Sequence, residues 1–163
     1  MTEKAGTREV HLAELYPTLM EILNQGGSFR ITVTGMSMWP TLRHRRDQVT
    51  LTKPQGPLKK HDLPLYRRDN GQFILHRVVA VQDDGCYTCC GDHQWSKERN
   101  VRPDQIVAVA VGFCRKGREF DAHNRRYRLW VRFWDGVIPL RMLIFRSLNL
   151  LGRLRPKKKP ETA

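Results

Sequence analysis

Hydrophobic positions change their spacing twice along this chain. Over residues 8–24 they recur at the helical interval, and Gly26-Gly27 ends the pattern. Over residues 29–114 short β-branched runs alternate with turn residues, which predicts strands. Over residues 125–155 the helical spacing returns. The predicted order is therefore a helix, a β-rich body and a helical tail.

One predicted hairpin in the body carries candidate chemistry. The apolar run 73–82 and the short run 86–90 are separated by Asp83-Asp84-Gly85, which suits a three-residue loop with its glycine in the left-handed conformation. That loop pairs residue 82 with residue 86 and places His76 opposite Asp92 on the same face, with Cβ atoms ~5 Å apart. A two-residue turn would instead pair His76 with His93 and move Asp92 to the other face, so this register is a condition of the His76–Asp92 pairing.

Composition agrees with one catalytic or binding domain and its flanking helices. The chain has 163 residues, of which 40% are hydrophobic and 28% charged, as in ordinary globular proteins. We divide it into an N-terminal helical segment (1–28), a β-rich domain (29–120) and a basic amphipathic helical tail (121–163).

The most informative run is residues 33–42, Val-Thr-Gly-Met-Ser-Met-Trp-Pro-Thr-Leu. Gly35 permits a sharp bend and Pro40 fixes the backbone leaving it, while Met36 and Met38 flank the hydroxyl of Ser37. A serine at such a corner usually has no chemical role, so the run must be weighed together with residues further along the chain.

The run Gly-Met-Ser-Met-Trp-Pro-Thr-Leu resembles the nucleophile box of signal peptidase I and its relatives, which include the self-cleaving SOS repressors. Residues 73–81 resemble the His-Arg-Val-Val box of the His-type enzymes of the endoplasmic reticulum and archaea. Gly91-Asp92 resembles their acid box, and residues 104–109 resemble the strand that closes their catalytic fold. The chain departs from the pattern at Arg46-Asp47, where relatives have Gly-Asp, and after Asp92.

This resemblance implies a mainly β fold, a signal-peptidase/LexA-like coiled β-sheet with an N-terminal helix. It also implies a serine endopeptidase that cleaves an extended peptide or protein precursor without cofactor or metal. Ser37 would be the nucleophile, His76 the general base, and Asp92 the group that orients the imidazole. A neutral imidazole suits this role because an unperturbed histidine titrates near neutrality.

Other residues near the serine box are assigned supporting roles. We expect Gly35, Met36, Met38 and Pro40 to contact substrate. The backbone N–H of Ser37 is the expected oxyanion donor. Relatives often add a hydroxyl at the position held here by Gly35, and Thr34 is a possible substitute. Glu98 lies where the His-type relatives place a second acid, although an exposed glutamate in a polar loop is an alternative.

The net charge of +13 is concentrated in the tail. From residue 115 onward there are 14 Lys or Arg and 4 Asp or Glu, interspersed with an apolar stripe and the aromatic residues Trp130, Phe133 and Trp134. Residues 125–159 are therefore expected either to lie on an anionic membrane surface or to pack onto the β body. Nucleic acid is a less favoured partner, since no DNA-reading motif is evident.

No run of 18 apolar residues and no signal sequence is evident, which favours a cytoplasmic protein, peripheral on the cytoplasmic membrane if the tail binds lipid. Cys86-x-x-Cys89 has zinc-like spacing, but strand alternation separates the two side chains, so reduced thiols are expected. Two alternatives remain. One is a catalytically silent module that binds peptides or partners, and the other is self-cleavage at Ala5-Gly6.

Overall fold

The N-terminal helix lies against the sheet and ends as its glycines predict. The computed structural model describes residues 12–138 and residue 140, and helix α1 covers Leu12–Asn24. Leu19 and Leu23 bury its apolar face. Gly26 has φ = +76°, and the N–H groups of Gly26 and Gly27 donate to the carbonyls of Leu23 and Ile22, which is the Schellman pattern of helix termination. The predicted residues 8–11 of this helix lie outside the described part of the chain.

The β body consists of two antiparallel sheets. The nine strands of the described residues are β1 Ser28–Thr32, β2 Gln48–Thr52, β3 Pro64–Arg67, β4 Phe73–Leu75, β5 Arg77–Val81, β6 Tyr87–Cys90, β7 Glu98–Val101, β8 Ile106–Arg115 and β9 Arg118–Asp121. The larger sheet has the order β1-β2-β8-β3-β4, with β9 added beside β8, and the smaller one has the order β5-β6-β7. A short 3-10 helix, Pro103–Gln105, precedes β8. The fold is thus mainly β, with a curled half-barrel sheet and an N-terminal helix, as predicted at this level.

Two apolar clusters hold these layers together. The first joins α1 to the larger sheet and includes Leu23, Val49 and Leu65. The second lies between the two sheets and includes Tyr66 of β3 together with Val78 of β5. Because β3 supplies residues to both clusters, the region where the sheets meet is fixed from both sides.

The hairpin that carries His76 was predicted correctly at its loop and wrongly at its far end. Gly85 has φ = +81°, and the N–H of Gln82 donates to the carbonyl of Cys86, so residue 82 does pair with residue 86. A β-bulge between Val78 and Ala80 then shifts the register by one. The predicted single strand over residues 73–82 is also broken at His76, where the chain passes from the larger sheet to the smaller one.

The second helix, α2 (Arg125–Gly136), packs on the β body through one face. Asn124 caps its N-terminus by accepting hydrogen bonds from two backbone N–H groups of the first turn. Val131 is buried, and the indole N–H groups of Trp130 and Trp134 donate to Thr41 Oγ1 and to the carbonyl of Asp92. The two tryptophans therefore pack on the β body, which is one of the two placements expected for this part of the tail.

The opposite face of α2 is open to solvent. Leu129 and Phe133 are 65% and 62% exposed, and Leu140 beyond the helix is also exposed. Residues 141–159 of the predicted membrane-binding tail lie outside the described residues. Over the described ranges, neither helix has the length and apolar character needed to cross a bilayer.

Candidate active site

Ser37 lies at the start of a tight turn between β1 and β2. Gly35 has φ = +85°, a conformation that glycine adopts without strain, and its N–H donates to His44 Nδ1 at 2.8 Å. The turn continues with a hydrogen bond from Leu42 N–H to the carbonyl of Met38. Both of those side chains are buried in the main core, so the turn is anchored immediately after Ser37.

The backbone of Ser37 is held by the loop that follows β6. Its carbonyl accepts a hydrogen bond from His93 N–H at 2.7 Å. Gly91 passes so close that a Cβ at this position would lie 2.7 Å from the Ser37 carbonyl oxygen, which explains why a glycine is needed. The N–H of Ser37 has no hydrogen-bond partner among residues 12–138. It is therefore available to donate a hydrogen bond to an oxyanion.

Ser37 and His76 line the same cavity, whose volume is about 170 Å3. Its apolar wall is built by Ile31, Val33, Met38, Leu65, Phe73 and Leu75. The end of β1 and strand β4 both contribute to the wall, and these are the two terminal strands of the larger sheet. The curl of the sheet thus brings residues of its two terminal strands to one cavity that Ser37 and His76 also line.

The imidazole of His76 is oriented by a tyrosine and an acid. Tyr66 Oη donates to Glu98 Oε2 at 2.6 Å and lies 3.5 Å from His76 Nδ1. Because the only phenolic proton is directed at Glu98, Tyr66 Oη can serve the imidazole only as an acceptor. Nδ1 of His76 must then carry the proton, which leaves the lone pair of Nε2 available as a base.

Burial and nearby charges determine the protonation states of Glu98, Tyr66 and His76. Two hydrogen bonds from Arg68, at 2.7 and 2.6 Å, hold the pKa of Glu98 below its usual value against the effect of burial. Burial and the Glu98 contact raise the pKa of the Tyr66 phenol above its ordinary range. Burial lowers the pKa of His76 to about 4, because the raising effects of Glu98 and Asp92 are smaller than the cost of charging a buried ring. The histidine is therefore neutral at physiological pH.

Asp92 does not occupy the place predicted for it. Arg77 Nε donates to Asp92 Oδ1 at 2.9 Å and Arg77 Nη2 donates to Oδ2 at 2.8 Å, so both carboxylate oxygens are used by the guanidinium. His76 has only Tyr66 Oη as a hydrogen-bond partner among the described residues. Adjacent residues of an extended chain point to opposite sides, so Asp92 lies on the side of Arg77. The predicted His76–Asp92 hydrogen bond of a Ser37–His76–Asp92 triad is therefore wrong.

The Arg77–Asp92 pair instead joins the serine turn to α2. Both side chains are only 2% exposed. Arg77 Nη1 also donates to the carbonyl of His61 and to Tyr127 Oη of α2, each at 3.1 Å. Since Asp92 lies between Gly91 and His93, the ion pair fixes the loop that holds the Ser37 carbonyl.

The other residues predicted near the serine differ in whether they line the Ser37 cavity. Met38 is buried and lines the Ser37 cavity, and Thr34 lines it from an exposed position. Met36 is 54% exposed and, unlike Met38, is not among the residues that line the Ser37 cavity. The peptide bond before Pro40 is cis, and the Pro40 carbonyl accepts a hydrogen bond from Arg115. No contact of Thr34 identifies it as an oxyanion donor.

Glu98, predicted as possible support, belongs to the site through Tyr66, which the sequence analysis missed. Arg77 was also missed, although an arginine inside an apolar strand run needs a buried carboxylate partner and could have been paired with Asp92 on that ground. No sequence pattern of this kind identifies Tyr66, because its role depends on the position of β3 next to His76.

Comparison with protein-family models gives no match to this chain, and comparison with curated proteins gives none either.

Proposed function

We propose that this protein is a serine endopeptidase of the signal-peptidase-like type, with Ser37 as nucleophile and His76 as general base. The observation that carries the proposal is that these two side chains line one cavity while Tyr66 and Glu98 leave His76 Nε2 free. Tyr66 and Glu98 act as positioning residues, and Asp92 has a structural role through Arg77.

The reaction follows from these placements. Ser37 Oγ attacks the carbonyl carbon of the scissile peptide bond and transfers its proton to His76 Nε2. His76 returns that proton to the amide nitrogen, the C–N bond breaks, and the amine leaves. Water then attacks the acyl-serine and gives one proton to His76, which passes it to Ser37 Oγ. The products are a carboxylic acid and an amine, and the enzyme is regenerated.

The tetrahedral intermediate places negative charge on the former carbonyl oxygen. The N–H of Ser37 is a suitable donor because no described residue accepts its hydrogen bond, and a preorganised donor stabilises the charge without reorientation. Neutral His76 assists as well, since the buried ring becomes positively charged only when the intermediate carries the opposite charge.

The substrate binds as an extended strand. β1 and β4 end the strand order of the larger sheet, and each has one edge with no strand partner among the described residues. A peptide lying between Ile31 and Phe73 could pair with either edge through its backbone, with alternate side chains entering the apolar cavity. Residues preceding the scissile bond should therefore be small or apolar, because the cavity holds only about 170 Å3.

A fluorophosphonate probe tests the chemistry directly, because it phosphonylates an activated serine. The wild-type protein should be labelled, Ser37→Ala should not, and His76→Ala should be labelled far more slowly. Ser28→Ala is the matched control, since Ser28 lies at the end of β1 remote from the cavity. Labelling that persists in Ser37→Ala contradicts the proposal. Absence of labelling in the wild type, with peptide binding retained, favours the catalytically silent module.

The exposed face of α2 supports attachment of the enzyme to an anionic membrane surface. Leu129 and Phe133 are one turn apart on the face opposite buried Val131. Exposed arginines flank them at positions 125, 126, 128 and 132. Each basic residue near an anionic leaflet contributes ~1 kcal/mol, and burial of the two apolar side chains adds to this.

Vesicle co-sedimentation tests this attachment. The full chain should sediment with phosphatidylglycerol vesicles and weakly with phosphatidylcholine vesicles. Leu129→Ser combined with Phe133→Ser should reduce binding, whereas Leu15→Ser, which changes an exposed leucine of α1, should not. Equal sedimentation of all three proteins contradicts a role for this face.

A further inference from the structure

A second cleft, larger than the Ser37 cavity, also borders on His76. Its volume is about 580 Å3, and its wall is the loop from Gln94 to Lys97 together with Glu98 and Arg68. His76 is the residue that lines both spaces. It therefore connects the Ser37 cavity with this second space, which we call the Trp95 cleft.

The proton transfers made by His76 indicate which half of a substrate each of the two spaces would bind. The same imidazole must take a proton from Ser37 Oγ and deliver it to the leaving nitrogen, so the leaving nitrogen must lie beside His76. The apolar cavity that contains Ser37 suits the half that becomes the acyl group. The chain beyond the scissile bond then passes His76 and enters the Trp95 cleft.

The course of the cleft wall agrees with that path. The wall loop follows directly on His93, whose N–H donates to the Ser37 carbonyl, and it leads to Glu98, which accepts a hydrogen bond from Tyr66 Oη beside His76. A peptide following this loop would leave the serine at one end and reach the acid at the other. The loop therefore connects the nucleophile to the positioning acid along one wall.

The side chains of the Trp95 cleft indicate what it binds. Trp95 is 55% exposed, which leaves a large aromatic surface open to a ligand. Glu98 is occupied by Arg68 and Tyr66, while Lys97 has no ion pair among the described residues. Because the cleft has two cations, Arg68 and Lys97, and one carboxylate, Glu98, it disfavours a positively charged ligand.

We propose that the Trp95 cleft binds the part of the substrate that follows the scissile bond and selects an aromatic residue there. This inference rests on the proposed peptidase function and adds the substrate preference on the leaving-group side. Offset or edge-to-face contact with the indole favours an aromatic ring, and Lys97 with Arg68 disfavours arginine or lysine.

Partitioning of an acyl-enzyme tests the inference without knowledge of the natural substrate. A p-nitrophenyl ester of N-acetylalanine acylates Ser37 and releases nitrophenol, and the acyl group then passes to water or to an added amine that occupies the leaving-group site. In aminolysis the amine attacks the acyl carbon, the bond between that carbon and Ser37 Oγ breaks, the proton of the amine passes through His76 to Ser37 Oγ, and an amide is released. The ratio of amide to acid measures how well the added amine binds.

Phenylalaninamide should give an amide-to-acid ratio about tenfold higher than glycinamide, and argininamide should give a lower ratio than phenylalaninamide. Trp95→Ala should remove the preference for phenylalaninamide. Leu15→Ala, which truncates an exposed apolar residue of α1, should retain the preference.

The possible failures are distinguishable. If ester turnover does not depend on Ser37, the proposed peptidase function fails, and this inference fails with it. If turnover depends on Ser37 but phenylalaninamide and glycinamide partition equally, the inference alone is overturned. The same conclusion follows if the aromatic preference survives in Trp95→Ala.

Discussion

Replacement of Asp92 by asparagine separates a structural role of this residue from a catalytic one. Asp92→Asn keeps the size of the side chain and removes its charge, leaving the Arg77 guanidinium buried without its counterion. Both side chains are 2% exposed, and two hydrogen bonds of 2.9 and 2.8 Å are affected. Breaking such a buried pair typically costs about 3 to 5 kcal/mol. For a chain of this size that loss lowers the midpoint of thermal unfolding by roughly 6 to 20 °C.

A matched pair on the surface provides the control. Arg102 and Asp69 form a similar two-point contact, at 2.8 and 3.3 Å, but the side chains are 46% and 76% exposed. Asp69→Asn should leave the midpoint of thermal unfolding close to that of the wild type, because solvent screens the pair in the folded protein and replaces it when it is broken. Thermal unfolding followed by circular dichroism compares the two variants under identical conditions.

A double variant identifies the origin of the loss. Arg77→Met with Asp92→Asn removes the unpaired buried charge, so it should be destabilised by less than the sum of the single variants. The reasoning is refuted if Asp92→Asn unfolds within about 2 °C of the wild type while kcat falls about a thousandfold. That outcome would return Asp92 to the chemical step.

Three further outcomes are expected. Tyr66→Phe should lower kcat at least about tenfold, because the His76 ring is then no longer held in the tautomer with its proton on Nδ1. Tyr87→Phe is the control, since it also removes a buried hydroxyl, which here accepts a hydrogen bond from Leu58 N–H. It should leave kcat unchanged at a similar stability cost of about 1 kcal/mol. Gly91→Ala should reduce Ser37 labelling by the fluorophosphonate, since its Cβ would lie 2.7 Å from the Ser37 carbonyl oxygen, whereas Gly56→Ala enters open space and should label normally. The pKa of His76 is about 4 in the folded protein and higher in the unfolded chain, so the unfolded state binds more protons between about pH 4 and pH 6.5. The free energy of unfolding should therefore fall by up to ~3 kcal/mol as the pH is lowered from about 6.5 toward 4. Urea denaturation measures this fall, which should be smaller in His76→Gln.

Local patterns predicted the parts of this molecule that local chemistry determines. The glycines after α1 and the Asp83-Asp84-Gly85 loop behave as expected, because a left-handed glycine position specifies helix ends and hairpin loops wherever they occur. The bend predicted at the serine box is also present, since Gly35 adopts a left-handed conformation with φ = +85°.

The register beyond the loop could not be obtained in the same way. The bulge between Val78 and Ala80 adds one residue to one strand, and a shift of one residue moves every later side chain to the other face. This shift accounts for the wrong partner assigned to Asp92. The break of the strand at His76 likewise depends on the second sheet, which no nearby residue pattern indicates.

The attachment of α2 to the serine turn has a consequence for the order of folding. Trp130 reaches Thr41 across 89 positions of sequence, Tyr127 reaches Arg77 across 50, and Trp134 reaches Asp92 across 42. These contacts come from residues that follow the last strand, β9, so during synthesis they form only after the strands of both sheets have been made. The two sheets can therefore form while the loop at Asp92 still lacks its final support. The proposed peptidase activity should accordingly be absent while α2 is still missing from the growing chain, which would spare the unfinished chain and its neighbours from premature cleavage.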